Sequence, residues 1–294
     1  MPTLRLDNPH SKGVCFILLS AFSFACMNFF VRFAGEMPFF EKVLFRNLVS
    51  LVIAGGTVFH SHARWPKEPK SWLLLLLRSA SGTIGLFATF YALDHMVLGD
   101  ASMLGELAPF ATILFSLVFL KENVSWKQLL LVLGAFLGCL FIVKPTGHGG
   151  NLAPYVIGVI GGIASGAAYT CVRALGKRGV AGAEVVLVFS SFSSLLILPF
   201  FIAYAVPITL GQLVCLVMVG LCATVGQFAL TAAYSYAPGR DISIYEYSNV
   251  VFSALLGFLF LGQVPDLWSL VGYVVIFSMA LLMFLNGRHQ EVAA

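Results

Sequence analysis

Charge is scarce in this chain. Only 10% of its 294 residues are Asp, Glu, Lys or Arg, against about a quarter in an ordinary soluble domain. The length would accommodate one or two soluble domains, yet no polar stretch is long enough to form one. Catalytic signatures are missing too. There is no HExxH, no GxSxG and no GxxxxGK(S/T) phosphate loop, which argues against an enzyme and against a self-contained ATP-driven pump. Cys15, Cys26, Cys139, Cys171, Cys215 and Cys222 fall at scattered spacing inside apolar runs, and His10, His60, His62, His95, His148 and His289 do not cluster with them. That spacing gives no metal site and no cofactor site. The thiols read as small buried hydrophobes rather than disulfide partners.

Hydrophobicity is what the chain has instead: 59% of residues are apolar and mean hydropathy is +0.94. Apolar runs of about 20 residues cross a bilayer as helices, because a helix satisfies every backbone group internally. Ten runs qualify, at roughly 13–34, 41–59, 72–93, 99–120, 126–143, 154–175, 183–203, 209–236, 242–261 and 267–286. The first follows Lys12 as a signal peptide would, but it is too long and lacks a clear cleavage site, so it reads as a span. Placing the N-terminus inside puts Arg5, Lys12, Arg64, Lys67, Lys70, Lys121, Lys127, Lys177, Arg178, Arg240 and Arg288 on the cytoplasmic side, and leaves little more than Lys42 and Lys144 outside. Basic residues are retained inside, so both termini are expected in the cytoplasm. Basic stretches such as "RWPKEPK" then act as topology signals, and nucleic acid is not an expected partner.

A shift of 141 residues brings the halves into register. Val31 and Arg32 meet Val172 and Arg173; Thr83, Gly85, Phe87, Ala88 and Ala92 meet Thr224, Gly226, Phe228, Ala229 and Ala233; Asp100 and Ser102 meet Asp241 and Ser243. Each half holds five spans, and an odd number forces the second copy to enter the membrane upside down. Inverted duplication is a recurring architecture of secondary transporters. With "LFSLVFLKENV" matched by "LLGFLFLGQVP", and "FRNLVS" around Arg46, the chain resembles EamA-type members of the drug/metabolite transporter superfamily. The family's usual "LGE"-like turn after the fourth and ninth spans reads LKE (Leu120, Lys121, Glu122) and LGQ (Leu261, Gly262, Gln263) here, and the second departs from the pattern. The resemblance implies an all-α polytopic membrane protein: ten transmembrane helices as two inverted five-helix repeats, residues 1–146 and 147–294, around a central cavity.

Charges inside spans are costly and usually face a cavity or a partner. Arg32, Glu41, Arg46 and Glu106 fall toward the outer side, with Arg46 about 7.5 Å deeper than Glu41 in a regular helix. Arg78, near the inner start of the third span, would equally snorkel or form a structural pair, while Arg173, Glu184 and Glu246 fall toward the inner side. These sets are candidates for two gates, although Arg32, Glu41 and Arg173 could equally snorkel to headgroups, and Glu184 opens its span in the same way. Arg46, Glu106 and Glu246 lie deeper and favour a cavity or partner role. Among residues on helices that the resemblance places around the cavity, Tyr91, Tyr169 and Tyr245 are candidate walls, beside Phe87, Phe228, Tyr234 and Tyr247. Asn28, Gln227 and Asn249 would supply hydrogen bonds. Gly158, Gly162 and Gly166 on one span, and Gly134 and Gly138 on another, recur every four residues and serve close packing. Pro109 would bend the fourth span beside Glu106.

The expected function is that of a secondary transporter. It would move a small organic metabolite across the membrane by alternating access, with protons as the candidate coupling ion. The expected setting is a bacterial inner (plasma) membrane, as a monomer or homodimer. A non-transporting membrane scaffold is the alternative.

Overall fold

The computed structural model describes residues 9–61, 65–119, 125–143, 151–236 and 243–292. The described residues form helices and no strand. They are α1 (Pro9–Phe33), α2 (Phe39–Ser61), α3 (Pro69–His95), α4 (Leu98–Gly105), α5 (Ala108–Phe119), α6 (Trp126–Val143), α7 (Ala153–Gly176), α8 (Gly182–Tyr204), α9 (Leu210–Tyr236), α10 (Ser248–Leu261, preceded by a 3-10 turn at Ser243–Tyr247) and α11 (Leu267–Val292). Seven segments are long and apolar enough to cross a membrane unaided, α4 and α5 counting as one; shorter apolar helices in α6, α10 and α11 complete ten spans.

Two expectations about continuity change. The fourth span is not one bent helix. It breaks at Glu106–Leu107, where α4 ends and α5 begins, and Pro109 sits in the first turn of α5, where its missing N–H breaks no bond. The ninth span starts with the 3-10 turn that contains Glu246. The first break lies within an apolar run and does not show there; the second falls in SIYEYSN, at the more polar start of the ninth run.

Side-chain contacts at the helix ends show how the halves are threaded. At one end of the bundle the end of α1 meets the end of α3: Arg32 Nη1 donates to the carbonyls of Leu93 (3.2 Å) and Asp94. Lys42 at the start of α2 pairs with Asp94 at 2.5 Å, and Glu41 accepts the Val206 N–H just past α8 at 2.6 Å. Gln263, after α10, accepts the Leu98 N–H at 2.9 Å and so caps the start of α4. Gly262 turns the chain there with φ of 62°, a conformation glycine adopts without penalty. At the opposite end Arg178, after α7, pairs with Glu68, before α3, at 2.6 Å. The first helix of the second half therefore runs against α1, as inverted repeats require. The LKE turn at 120–122, Lys144, Arg240 and Asp241 lie outside the described residues.

Packing repeats about the same pseudo-twofold axis. α1 lies along α9, and its counterpart α7 along α3; α7 packs on α4 and α5, and α1 on α10; α2 faces α8 and α6 faces α11. Glycines permit the closest crossings. A Cβ on Gly162 would lie 2.5 Å from the Leu104 carbonyl oxygen, and one on Gly166 2.5 Å from Ala111 Cβ. Gly134 and Gly138 of α6 admit Met279 and Ile276 of α11 in the same way. Five cysteines (15, 26, 171, 215 and 222) are free thiols. Among the described residues no His, Cys, Asp or Glu group has the make-up of a metal site.

Candidate functional site

Two adjoining cavities occupy the middle of the bundle, of about 150 Å³ and about 50 Å³. Phe24, Gly105, Glu106, Tyr169 and Asn249 border both. Every span except the fifth and tenth contributes a wall residue.

The larger cavity has a cationic wall. Arg46 of α2 and Arg78 of α3 are buried, and both guanidinium groups lie over the ring of Phe189 from α8, at 5.1 Å and 4.1 Å from its centroid. An aromatic face attracts a cation and fixes where it sits. Arg46 Nη1 donates to Asn47 Oδ1 at 2.7 Å, and Asn47 donates onward to Ser193 Oγ at 2.8 Å, tying this wall to α8. The Nε of each arginine has no hydrogen-bond partner. Room for Arg78 comes from Gly82, one turn on, where a Cβ would stand 2.1 Å from Arg78 Nη1.

The acidic wall is built at the two broken spans. Glu106 caps α4, with its N–H donating to the Ser102 and Met103 carbonyls at 3.2 and 3.1 Å. The Glu106 carbonyl, freed from the helical ladder, accepts the Tyr247 hydroxyl at 3.2 Å. Its side chain borders both cavities, and Glu246 borders the smaller. The two carboxylates are close enough to interact electrostatically. Tyr169 stands among all four charges, within electrostatic reach of Arg46, Arg78, Glu106 and Glu246. Asn28 donates to Ser102 Oγ at 3.3 Å, leaving its Oδ1 without a partner, and Asn249 donates to the Ala21 carbonyl at 3.1 Å. Gln227 completes the larger cavity.

The structure thus brings Asn28, Arg46, Glu106, Tyr169, Gln227, Glu246 and Asn249 together. Two other candidates stand apart: Tyr91 stacks on His95 with centroids 4.2 Å apart, and Tyr245 packs on Ile17, Leu230 and Ala233. Neither forms a wall of either cavity. Arg32 and Glu41 lie in the end cluster with Lys42 and Asp94. Glu184 accepts the Ala181 N–H at 3.3 Å at the start of α8, and Arg173 is exposed near the end of α7. Of the two expected sets, Arg46 and Glu106 from one and Glu246 from the other come together with Arg78 at the cavities that Tyr169 borders. Helix length explains part of this. α3 begins at Pro69, three residues before its apolar run, so Arg78 lies about 13.5 Å along the helix. Sequence reasoning passed over Arg78, Phe189 and Ser165 as walls. Lys42, expected as an exposed outer charge, is fully buried in its pair with Asp94.

A charge-lined chamber walled by both of two inverted halves defines a polytopic membrane transporter. The model of the EamA-like transporter family matches residues 11–144 and again 153–285, and the chain belongs to that family. It is 32% identical over 272 residues to the pseudopaline exporter CntI of Pseudomonas aeruginosa, across 90% of this chain and 93% of that one. It is 22% identical over 283 residues to the S-adenosylmethionine uptake transporter of Rickettsia bellii, across 95% of each. One solved crystal structure superposes on 96% of the chain, and on 99% of its own length, with a TM-score of 0.69 at 16% identity, which speaks to the fold alone.

Proposed function

We propose that this transporter is a secondary carrier. It moves a small organic metabolite by alternating access across a bacterial inner membrane, with both termini cytoplasmic. The observation that carries this reading is the central chamber itself: both repeats wall it, and its charged groups lie where a membrane protein would otherwise bury hydrocarbon. Two inverted halves supply two pseudo-equivalent conformations, one open to each side. A scaffold has no use for such a chamber. Relatives named for cargoes as different as pseudopaline and S-adenosylmethionine support a metabolite carrier without naming its cargo.

Proton coupling is a second reading, favoured by Glu106, Glu246 and Tyr169 bordering one small cavity. Carboxylates that alternate between paired and solvated surroundings can take up and release a proton. Reconstitution into liposomes with a panel of labelled metabolites, with and without a pH gradient, tests both readings. Solute movement that requires the protein supports the carrier, and acceleration by the gradient supports coupling. Liposomes that move no solute while the protein captures a specific protein partner would favour the scaffold.

A further inference from the structure

Two guanidinium groups share one aromatic ring in the larger cavity, and among the described residues no carboxylate pairs with them there. Arg46 is 5% exposed and Arg78 2% exposed, and each leaves its Nε without a partner. Among the described residues no ion pair joins either of them to Glu106 or any other carboxylate. Like charges held together away from water repel each other and have lost hydration, an arrangement that persists when an anion completes it. A carboxylate is the natural complement, because its two oxygens match the donor fork of a guanidinium.

The rest of the chamber restricts what carries that carboxylate. Glu106 borders the same cavity and Glu246 the adjoining one, so the chamber has a cationic wall and, apart from it, an acidic region. A simple anion would satisfy the arginines and be repelled by the glutamates; a simple amine would meet the reverse. A phosphate dianion would leave excess negative charge. The volume of about 150 Å³ corresponds to about ten water-sized sites.

We propose that the Arg46–Arg78 pair receives the carboxylate of a small zwitterionic cargo, of about ten non-hydrogen atoms or fewer, whose ammonium group faces Glu106 and Glu246. This deepens the carrier reading and rests on it. Both guanidinium groups lie over the Phe189 ring, Gly82 gives Arg78 its place, and Tyr169 borders both cavities.

The test is equilibrium binding to the full chain in detergent, with matched probes. They are L-alanine, L-serine, L-threonine and L-leucine, the amide and the deaminated acid of each, and O-phosphoethanolamine. At least one amino acid should bind tenfold or more tighter than its own amide and its own deaminated acid. Arg46→Gln and Arg78→Gln should each lose at least tenfold of that affinity while leaving the weak binding of the amide unchanged. Gly82→Ala keeps both charges but displaces Arg78, and should lose affinity in the same direction. Equal binding of an amide or deaminated acid, tighter binding of O-phosphoethanolamine, no binding by any amino acid, or wild-type affinity in both Arg78→Gln and Gly82→Ala overturns the assignment. Liposomes separate the two claims. If they move other solutes while no zwitterion binds, the zwitterion site falls and the carrier stands. If zwitterions bind as described but no solute crosses, the carrier falls and the site stands.

Discussion

The two halves of this protein match in backbone position and differ in chemistry. In the 141-residue register, the wall residues Phe24, Met27 and Asn28 of α1 correspond to Ser165, Ala168 and Tyr169 of α7, all of which line the larger cavity. Leu86 corresponds to Gln227, and both are wall residues. Glu246 and Asn249 border the smaller cavity beside their counterparts Gly105 and Ala108. The cations have no such echo: Arg46 corresponds to Leu187 and Arg78 to Val219. Duplication has kept several chamber-facing positions and let their side chains diverge, while the two arginine positions face the chamber in one half alone. A symmetric scaffold thereby encloses a polar, oriented site.

The largest expected break in this comparison is at the acidic residues, because each half contributes one. If the two glutamates act as a unit, Glu106→Gln and Glu246→Gln should each slow gradient-driven uptake in liposomes tenfold or more. The double variant should be little worse than either single one. Additive losses would mean that the halves work independently.

Tight packing should separate the halves next. Gly166 stands where α1 has Ala25, and a Cβ there would lie 2.5 Å from Ala111 Cβ and 2.7 Å from the Ala108 carbonyl oxygen. Gly166→Ala should cost about 2 kcal/mol, as overpacking does, seen as a lower unfolding temperature in detergent. Ala25→Gly should cost about 1 kcal/mol or less. Equal costs would show the two crossings to be equally close.

The bundle ends differ as well. Lys42 and Asp94 correspond to Ala183 and Ser235, so this buried pair belongs to one half alone. Lys42→Met should destabilise by about 1–2 kcal/mol, below the full cost of breaking a buried pair because Asp94 keeps 19% exposure. The smallest effect is expected at the opposite end. Arg178 and Glu68 form an exposed pair, and Arg178→Ala should change stability by less than about 1 kcal/mol in the same unfolding assay.

The spans were legible in the sequence because a bilayer imposes length and hydropathy together, and the repeat because its glycine and polar matches rise above apolar background. The inverted arrangement followed from parity. Harder to see were features that hydropathy does not encode. The break at Glu106–Leu107 lies inside an apolar run, and the 3-10 turn at Ser243–Tyr247 opens one. Arg78 was placed too shallow by counting from the apolar run rather than from the first helical residue. Lys42 looked like a retained surface charge until Asp94, fifty-two positions away, was found against it. In the 141-residue register Glu106 corresponds to Tyr247 and Glu246 to Gly105, one position apart, and both glutamates sit where a helix is interrupted.

α6 and α11 stand outside all of this. They pack on each other through Gly134, Gly138 and Gly272, and neither lends a side chain to the chamber. Descendants of one ancestral carrier could therefore exchange their choice of solute by editing the inner eight spans, while the outer two drift only within the limits of their mutual fit and of the hydrogen bonds that Ser269 and Tyr273 of α11 donate to Asp100 of α4. A selection for altered cargo, run on this gene, should return substitutions throughout the inner eight spans and almost none from that pair.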